Sequence, residues 1–375
     1  MISDKLPDVR NAEVAGKRVF LRADIDVPLL EVRSQKLEVR QIEDDMRLVA
    51  GMPTIKHLLE NKARVIIGGH LGRPGEKNQK SKIKNQNYGS EFSLMSVAEW
   101  LVKNFNFPFS NLQFQKIDGL SGWRISENLF LLENLRFYQG EEKNDPDFAK
   151  QLANLADLYV NDAFAMCHRN HASIVGVPKL LPHYAGIRLI EEVKHLSSVL
   201  DNPKRPLIVI IGGKKIETKL PLVEKTISLA DKVLVGGLIA KEMRKQVQHD
   251  KIEVENLFVA KLNNDGTDIL EESLNEFISI IKTAGTVVWN GPMGLINQKS
   301  KIKNQKLEDT ERGTKELAKA IVESSAYKVV GGGDTTEFLK RIGLLDKFDF
   351  VSTGGGAMLT FLSGQPLPGL EALLE

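Results

Sequence analysis

The sequence has little of what marks secreted and membrane proteins. It contains one cysteine, Cys167, so an internal disulfide is excluded and a reducing compartment is indicated. No run of about 18 apolar residues occurs, so neither a membrane span nor a membrane partner is expected. Residues 1–16 lack the basic-then-apolar pattern of a signal peptide. We therefore expect a cytoplasmic protein, which at 375 residues is long enough for two domains.

The chain also lacks a large excess of either charge, since its formal net charge at pH 7 is +2. The nonapeptide NQKSKIKNQ occurs twice, at residues 78–86 and 297–305, and each copy holds three lysines and no acid. Without these copies the chain is net acidic. They lack aromatic residues and helical periodicity, which is typical of loop insertions. No nucleic-acid partner is expected, because the alternative of a nucleic-acid-binding module would depend wholly on the two copies.

What the chain does have is a repeated pattern of short apolar runs, each followed by a helical stretch. The runs are nearly continuous Val, Ile and Leu, as in parallel strands that helices cover on both faces. They lie at residues 18–21, 64–69, 129–132, 158–161, 207–213, 232–237, 286–291, 328–333 and 350–356. The predicted fold class is α/β, with two doubly wound parallel-sheet domains that resemble the Rossmann fold.

A helix is predicted to join the two sheets. Residues 184–200 carry apolar side chains at helical spacing, and the segment is closed by Pro203. We place the N-terminal domain at residues 1–183 and the C-terminal domain at residues 184–364, joined by this helix and a hinge. The tail, residues 365–375, is expected to pack on the N-terminal domain.

The second half of the chain repeats one arrangement, in which an apolar strand ends in a glycine-rich turn that starts a helix. Glycine lets the backbone approach a ligand, and free N–H groups at a helix N-terminus bind phosphate. Any one such turn would also serve a tight strand–helix connection, but five at one sheet edge predict a polyphosphate ligand. The turns are at residues 212–215, 236–237, 290–294, 331–335 and 353–356.

Three charged residues accompany these turns. Lys215 and Lys219 are one helical turn apart, so both can face the same phosphate, although a solvated helix face has the same pattern. Asp334 fits either the N-cap of a helix, in a capping box with Glu337, or a Mg²⁺ ligand beside the nucleotide. The residues themselves leave both interpretations open.

Cationic side chains follow the predicted strands of the first half. If those strands are parallel, their ends meet at one edge and form a basic pocket for a small anion. Asp24 and Asp26 follow the first strand and would accept hydrogen bonds from a ligand hydroxyl, so a small phosphorylated hydroxy acid fits both features. The cationic residues are Arg22, Arg47, His70, Arg73, Arg136, His168, Arg169 and His171.

Several segments resemble the signatures of phosphoglycerate kinases, in order and over nearly the whole chain. The resemblance implies a monomeric, Mg²⁺-dependent phosphotransferase of glycolysis and gluconeogenesis with a carboxyl group as acceptor. Its reversible reaction would convert 1,3-bisphosphoglycerate and ADP to 3-phosphoglycerate and ATP, and these small molecules would be its partners. The segments are residues 22–28, 70–74, 133–137, 161–164, 168–169, 289–294 and 331–335.

The resemblance also implies roles for individual residues. Arg47, Lys215 and Gly355 would be catalytic, with the amides of Gly354, Gly355 and Gly356 around the transferred phosphoryl group, and Asp334 would hold Mg²⁺. The implied 3-phosphoglycerate ligands are Asp24, Asp26, Arg47, His70, Arg73, Arg136 and Arg169. The implied nucleotide ligands are Lys219, Gly237, Asn290, Pro292, Gly332, Gly333, Asp334 and Thr335.

The sequence departs from the family pattern at several positions. Asp26 stands where the family has Asn, and Lys214 and Thr218 where it has Ala and Asp. Leu238 replaces a glycine of the base pocket, and Asn297 stands in place of the Glu that holds the ribose. These departures leave open whether the nucleotide is ATP or GTP. They also motivate the alternative of an inactive relative that binds nucleotide or phosphoglycerate without turnover. Another acyl-phosphate kinase is a further alternative, while a dinucleotide enzyme is disfavoured because no Gly-x-Gly-x-x-Gly follows the first strand.

Overall fold

The computed structural model describes residues 2–33, 38–74, 91–214, 216–250, 254–296 and 307–375. Both copies of the nonapeptide lie outside these residues, and so do Lys215 and Asn297. Within the described part, no helix is long and apolar enough to cross a bilayer.

The chain divides into two units. The N-terminal unit comprises Ile2–Lys194 together with Pro366–Glu375, and the C-terminal unit comprises His195–Gln365. This division falls inside the helix at Ile187–Asp201, which begins in one unit and ends in the other. The functional domains predicted at residues 1–183 and 184–364 stay a prediction.

The N-terminal unit contains a seven-stranded sheet and a separate hairpin. The sheet has the strand order β5-β6-β7-β4-β1-β8-β9, parallel from β7 to β9 and antiparallel at β5 and β6, and β2 pairs with β3. The strands are β1 (Arg18–Arg22), β2 (Leu29–Arg33), β3 (Glu38–Ile42), β4 (Arg64–Gly68), β5 (Gln113–Ile117), β6 (Leu120–Arg124), β7 (Leu129–Leu132), β8 (Leu158–Asn161) and β9 (His183–Ala185).

α-Helices accompany this sheet, and one of them begins at a side-chain cap. The side chain of Asp145 accepts a hydrogen bond from the Phe148 amide, and Pro146 occupies the first turn, so the chain enters its helix there. The helices are α1 (Met46–Glu60), α2 (Met95–Asn104), α3 (Gln139–Glu142), α4 (Pro146–Ala153) and α5 (Ile187–Asp201). Tighter, 3₁₀-helical turns lie at Ile2–Lys5, Val9–Asn11, Phe109–Asn111, Leu135–Phe137, Phe164–Met166 and Val177–Lys179, and Ala172–Gly176 forms a wider, π-helical turn.

The C-terminal unit is a six-stranded, wholly parallel sheet with the order β12-β11-β10-β13-β14-β15. Its strands are β10 (Leu207–Ile211), β11 (Lys232–Val235), β12 (Leu257–Val259), β13 (Thr286–Asn290), β14 (Tyr327–Gly331) and β15 (Phe350–Ser352). Its helices are α6 (Ile216–Ile227), α7 (Gly237–Asp250), α8 (Glu271–Ile281), α9 (Leu307–Glu323), α10 (Gly333–Arg341) and α11 (Gly355–Leu362), with a short turn at Leu345–Lys347.

The predicted α/β class with parallel sheets is confirmed, and all nine predicted strands are present. The sheet of the N-terminal unit is mixed rather than purely parallel, because β5, β6 and β7 form an antiparallel edge. The tail forms α12 (Pro368–Glu371), which belongs to the N-terminal unit. There the Gly369 amide donates a hydrogen bond of 2.9 Å to the carbonyl of Cys167.

Candidate active site

In the N-terminal unit, the parallel register brings the ends of three strands to the same level. Arg22, the last residue of β1, pairs with Gly68 of β4 on one side and with Asn161 of β8 on the other. The polar residues that follow these strands therefore emerge at one edge of the sheet, as the sequence predicts. Arg47 reaches the same edge from the first turn of α1.

Asp24 and Arg47 form a partly buried ion pair at this edge. Nη1 of Arg47 donates to Oδ1 of Asp24 at 3.0 Å, while Oδ2 of Asp24 is buried without a hydrogen-bond partner among the described residues. Burial raises the pKa of Asp24 although Arg47 opposes it, and the charge of Asp24 in turn raises the pKa of Arg47. The pair thus keeps one cation in place and leaves a buried acceptor open to a donor from a ligand.

His70 and Asp26 lie beside this pair. Oδ1 of Asp26 accepts from the Gly72 amide at 2.8 Å, and its Oδ2 is 3.5 Å from Nε2 of His70 and 4.0 Å from Nη1 of Arg47. Burial, together with the charges of Arg22 and Arg136, lowers the pKa of His70 to about 4, so the ring is neutral at pH 7. Burial acts to raise the pKa of Asp26, but the hydrogen bonds from His70 and the Gly72 amide outweigh it and hold the pKa well below its usual value.

The remaining predicted cations differ in how firmly they are held. Nη1 of Arg136 donates to the carbonyl of Gly72 at 2.7 Å, and Nε of Arg136 lies 3.1 Å from Glu142. Burial lowers the pKa of Arg136, and the charges of Arg22 and Arg73 add to the effect. Arg73 and Arg169 are exposed, and no described residue forms a hydrogen bond or an ion pair with either side chain.

Two histidines complete this face. His168 is half-buried, and its Nδ1 has no hydrogen-bond partner in the described part of the chain. Burial and the adjacent charge of Arg169 lower the pKa of His168 to about 4. Nδ1 of His171 lies 3.7 Å from the buried carboxylate of Glu141, so this histidine faces an acid and not the open edge.

Behind the candidate site lie polar residues to which the sequence patterns assign no role. Glu133 is buried and accepts from the amides of Leu94 and Asn134 at 2.8 and 2.9 Å, while burial raises its pKa. Nδ2 of the Asn134 side chain donates to the carbonyl of Leu71 at 2.7 Å and so holds the loop after β4. Glu141 and Ser173 were also missed, because their partners are far away in the sequence and no local pattern marks them.

In the C-terminal unit, the glycine-rich turns contact one another through main-chain hydrogen bonds. The Gly213 amide donates to the carbonyl of Pro292 at 2.8 Å, and the Gly237 amide donates to that of Met293 at 2.9 Å. Gly237 has a φ of +62°, and a Cβ on it would lie 2.7 Å from the Gly213 nitrogen, so only glycine fits there. Lys219 extends into the same cluster, where its Nζ donates to the carbonyl of Gly212 at 2.7 Å.

The turns after β13, β14 and β15 are joined in the same way. The Asn290 side chain donates to the carbonyl of Gly355 at 2.9 Å, and the Gly291 amide donates to Oγ1 of Thr335 at 2.9 Å. A Cβ on Gly333 or Gly356 would meet no atom of the described residues within 4 Å, so among these residues the main chain is open to a ligand at the first turns of α10 and α11. The exposed main-chain groups fit a phosphate-binding edge.

Asp334 is not a helix cap. The N-cap of α10 is Gly332, with a φ of +100° and no side-chain hydrogen bond, and Asp334 lies inside the first turn. The predicted alternative of a capping box with Glu337 is therefore wrong. The Asp334 side chain is exposed and has no hydrogen-bond or ion-pair partner among the described residues. Leu238 is half-buried in the first turn of α7, and Lys214 is exposed.

Comparison with known proteins identifies one family. The phosphoglycerate kinase family model matches residues 9–260 and 241–365. Two curated relatives are named phosphoglycerate kinase: that of Thermosipho africanus is 34% identical and aligns over 97% of each chain, and that of Coprothermobacter proteolyticus is 35% identical over 99% of each chain.

Solved structures agree with the relatives. The phosphoglycerate kinase of Coxiella burnetii is 31% identical, covers 98% of both chains and has a TM-score of 0.74. That of Pyrococcus horikoshii is 26% identical with the same coverage and a TM-score of 0.75. Nothing in these comparisons favours an inactive relative. They support the family's kinase activity in glycolysis, on small-molecule substrates and with ATP and ADP as co-substrates. The chain belongs to the phosphoglycerate kinase family.

Proposed function

We propose that 3-phosphoglycerate binds at the edge of the N-terminal unit where Asp24 and Arg47 meet. The observation that carries this proposal is the buried Oδ2 of Asp24, which lies beside a set of cations and has no hydrogen-bond partner in the described part of the unit. A phosphorylated hydroxy acid supplies a hydroxyl to that oxygen and two anionic ends to the cations. The residues proposed to bind it are Asp24, Asp26, Arg47, His70, Arg73, Arg136 and Arg169.

The nucleotide is proposed to bind at the glycine-rich edge of the C-terminal unit. Open amides at the first turns of α10 and α11 suit its phosphates, and the carbonyl-anchored Nζ of Lys219 keeps a positive charge among them. Leu238 borders the proposed base pocket, so the choice between ATP and GTP rests on that position. The residues proposed to bind the nucleotide are Lys219, Gly237, Asn290, Pro292, Gly332, Gly333, Asp334 and Thr335.

Asp334 is proposed to hold Mg²⁺. Its exposed carboxylate has no partner among the described residues, and these residues contain no cluster of three or more metal-binding side chains. This fits Mg²⁺, which proteins usually hold with one or two carboxylates while nucleotide phosphates and waters complete the octahedron. When bound, the ion would neutralise charge on the phosphates.

The transferred group is proposed to pass between Arg47, Lys215 and the amides of Gly354, Gly355 and Gly356. The bond between phosphorus and the carboxyl oxygen of 1,3-bisphosphoglycerate breaks as a bond to a β-phosphate oxygen of ADP forms. The leaving carboxylate and the accepting phosphate are ionised at pH 7, so no proton is transferred and no general base is needed. Positioning and charge neutralisation then carry catalysis, and the raised pKa of Arg47 beside Asp24 keeps it cationic.

Transfer between ligands that bind to different units requires the units to approach each other. We propose that this hinge closure involves α5, which begins in one unit and ends in the other. Closure would also exclude water from the acyl phosphate, which water would otherwise hydrolyse. We propose that one copy of the chain carries every residue the reaction needs and that the enzyme acts as a cytoplasmic monomer.

The substrate assignment can be tested at Arg169. This side chain is exposed and has no described partner, so replacing it removes little besides a ligand contact. We expect Arg169→Ala to weaken 3-phosphoglycerate binding roughly tenfold in calorimetry. Arg124→Ala, at an equally exposed arginine of β6, serves as the matched control and leaves binding unchanged. Equal affinity in both variants would contradict the assignment. A coupled assay with Mg-ATP and then Mg-GTP identifies the nucleotide.

A further inference from the structure

A row of buried polar groups lies behind the proposed substrate site, beginning at Glu141. This fully buried carboxylate accepts from the main-chain amide of Ser173 at 3.0 Å and from its hydroxyl at 2.5 Å. Oγ of Ser173 in turn accepts from Nε of Arg22 at 2.8 Å. The roles are fixed at each step, because a carboxylate only accepts, a guanidinium only donates, and the hydroxyl does one of each.

The row continues from Arg22 to His70. Nη2 of Arg22 lies 3.2 Å from Nδ1 of His70, and its Nη1 donates to the carbonyl of Ala23 at 2.6 Å. Because the guanidinium cannot accept, Nδ1 must be the unprotonated nitrogen of the neutral ring. The single ring proton therefore resides on Nε2, which is 3.5 Å from Oδ2 of Asp26. The Asp26 carboxylate therefore faces the N–H group of the His70 ring and not an unprotonated ring nitrogen.

We propose that Glu141 and Ser173 are positioning residues of the substrate site: through Arg22 they fix which nitrogen of His70 carries the proton. The proposal rests on the proposed function only in naming 3-phosphoglycerate as the ligand of that site. With the row intact, His70 presents an N–H to Asp26 and to the ligand. With the row broken, the ring is free to protonate Nδ1 and to direct an unprotonated Nε2 at a carboxylate, which repels it.

The burial of Arg22 explains why so many partners are needed. Its side chain is completely inaccessible at the end of the central strand β1, where an unpaired charge is strongly destabilising. Glu141 supplies the opposing charge through one intervening hydroxyl, so it sets the orientation of Arg22 without contacting the site. Structural packing alone would not require the row to end on a side chain of the substrate edge.

The test compares two substitutions that each remove one buried hydroxyl: that of Ser173 itself, or that of Tyr159, which contacts Ser173. Ser173→Ala deletes the hydroxyl that links Glu141 to Arg22. Tyr159→Phe is the matched control, because the Tyr159 hydroxyl is buried and donates to the carbonyl of Ser173 at 2.8 Å, outside the row. The readout is ¹⁵N NMR of the histidine rings in ligand-free protein, with His70 assigned from the signals that His70→Gln removes.

We expect the wild type and Tyr159→Phe to show one neutral His70 tautomer with the proton on Nε2. Ser173→Ala shows both tautomers, and its KM for 3-phosphoglycerate rises roughly fivefold to tenfold while the KM for ATP is unchanged. If Ser173→Ala does not fold, Glu141→Gln keeps the shape of the carboxylate, removes its charge and takes its place in the same comparison.

The outcomes separate this proposal from the proposed function. A wild-type tautomer in folded Ser173→Ala and Glu141→Gln overturns the positioning role, whatever the kinetics. Mixed tautomers combined with an unchanged KM for 3-phosphoglycerate support the positioning of His70 and contradict its assignment as a substrate ligand. Equal spectral changes in Tyr159→Phe also overturn the proposal, because general loosening around Ser173 would then explain them.

Discussion

The N-terminal unit builds its candidate site from charged side chains, whereas the C-terminal unit builds its own mainly from main-chain groups. Arg47, Asp24 and His70 each depend on a named side-chain partner, and most of them are buried. In the other unit, the amides and carbonyls of glycine turns hold one another, and even Lys219 is anchored by carbonyls. The first site is therefore expected to respond to charge and pH, and the second to changes in backbone conformation.

The largest expected effect is on kcat. It is measured by replacing one cationic residue of each unit, Lys215 and Arg47. We expect Lys215→Ala to lower kcat roughly 100- to 1000-fold with little change in KM, because its charge would act on the phosphoryl group in flight. Arg47→Ala is expected to lower kcat by a similar factor and also to raise the KM for 3-phosphoglycerate, since it borders Asp24. Steady-state kinetics in both substrates provide the measurement. An unchanged kcat with a raised KM would remove Lys215 from the transition state.

The next effect concerns stability against pH and falls on His70. The unfolded chain protonates this ring near pH 6.5 and the folded chain only near its pKa of about 4, so acid favours unfolding across that window. The contribution of this ring to the free energy of unfolding is fully present above pH 6.5, and roughly 3 kcal/mol of it is lost by pH 4. Urea titrations of the wild type and His70→Gln measure this loss. If the free energy of unfolding falls by the same amount in both proteins between pH 6.5 and pH 4, this prediction is contradicted.

Asp162, in the same unit, is expected to change stability with pH in the opposite direction to His70. Burial raises the pKa of its carboxyl to about 7, although it accepts a hydrogen bond of 3.1 Å from the Leu189 amide at the start of α5. The folded chain then binds a proton that the unfolded chain releases near pH 4, so this group costs stability as the pH rises from 4 to 7. Asp162→Asn is expected to remove the decline in stability between pH 4 and pH 7 that Asp162 causes, and to leave the loss of stability in acid that His70 causes.

A smaller effect tests the main-chain character of the nucleotide edge. Gly332 has a φ of +100° at the N-cap of α10, and a Cβ on it would lie 3.4 Å from the Asn290 side chain. Gly332→Ala is expected to cost about 1–2 kcal/mol of stability and to raise the KM for ATP about tenfold. Gly343 lies after α10, also at positive φ, and a Cβ on it would meet no atom of the described residues within 4 Å, so Gly343→Ala is expected to have a similar stability cost without the change in KM. If Gly332→Ala and Gly343→Ala have the same KM for ATP, the proposed nucleotide site at Gly332 is contradicted.

The smallest expected effect concerns the base pocket. Leu238→Gly removes a half-buried side chain from the first turn of α7 and is expected to lower the KM for ATP or GTP about threefold. Lys241→Gly, at an exposed position of the same helix, controls for the loss of helix propensity. If both variants behave alike, Leu238 does not border the base.

Sequence patterns located the central strands because buried parallel strands are continuous apolar runs. They missed β12, which has three half-buried residues, and the antiparallel strands β5 and β6, whose polar residues do not form such runs. They also missed the hairpin of β2 and β3. Each of these elements depends on its neighbours more than on its own composition.

At the site, the sequence indicated which residues follow strand ends but not how they pair. Asp334 matched a capping box, yet Gly332, which lies two residues earlier and has a positive φ, is the N-cap, so the helix starts two residues earlier than a cap at Asp334 would require. Glu141 and Ser173 are 32 residues apart, and Ser173 and Arg22 are 151 residues apart, so only the folded chain shows their contact. Local rules cannot anticipate hydrogen bonds of that range.

The placement of α12 has a consequence for biosynthesis. The N-terminal unit includes Pro366–Glu375, whereas the C-terminal unit is one continuous stretch of chain. On the ribosome, the unit whose residues are made first therefore lacks residues 366–375 until the whole C-terminal unit has been synthesised, and its contact between Gly369 and Cys167 forms only after that. The order of synthesis and the order of completion are reversed for the two halves of this enzyme.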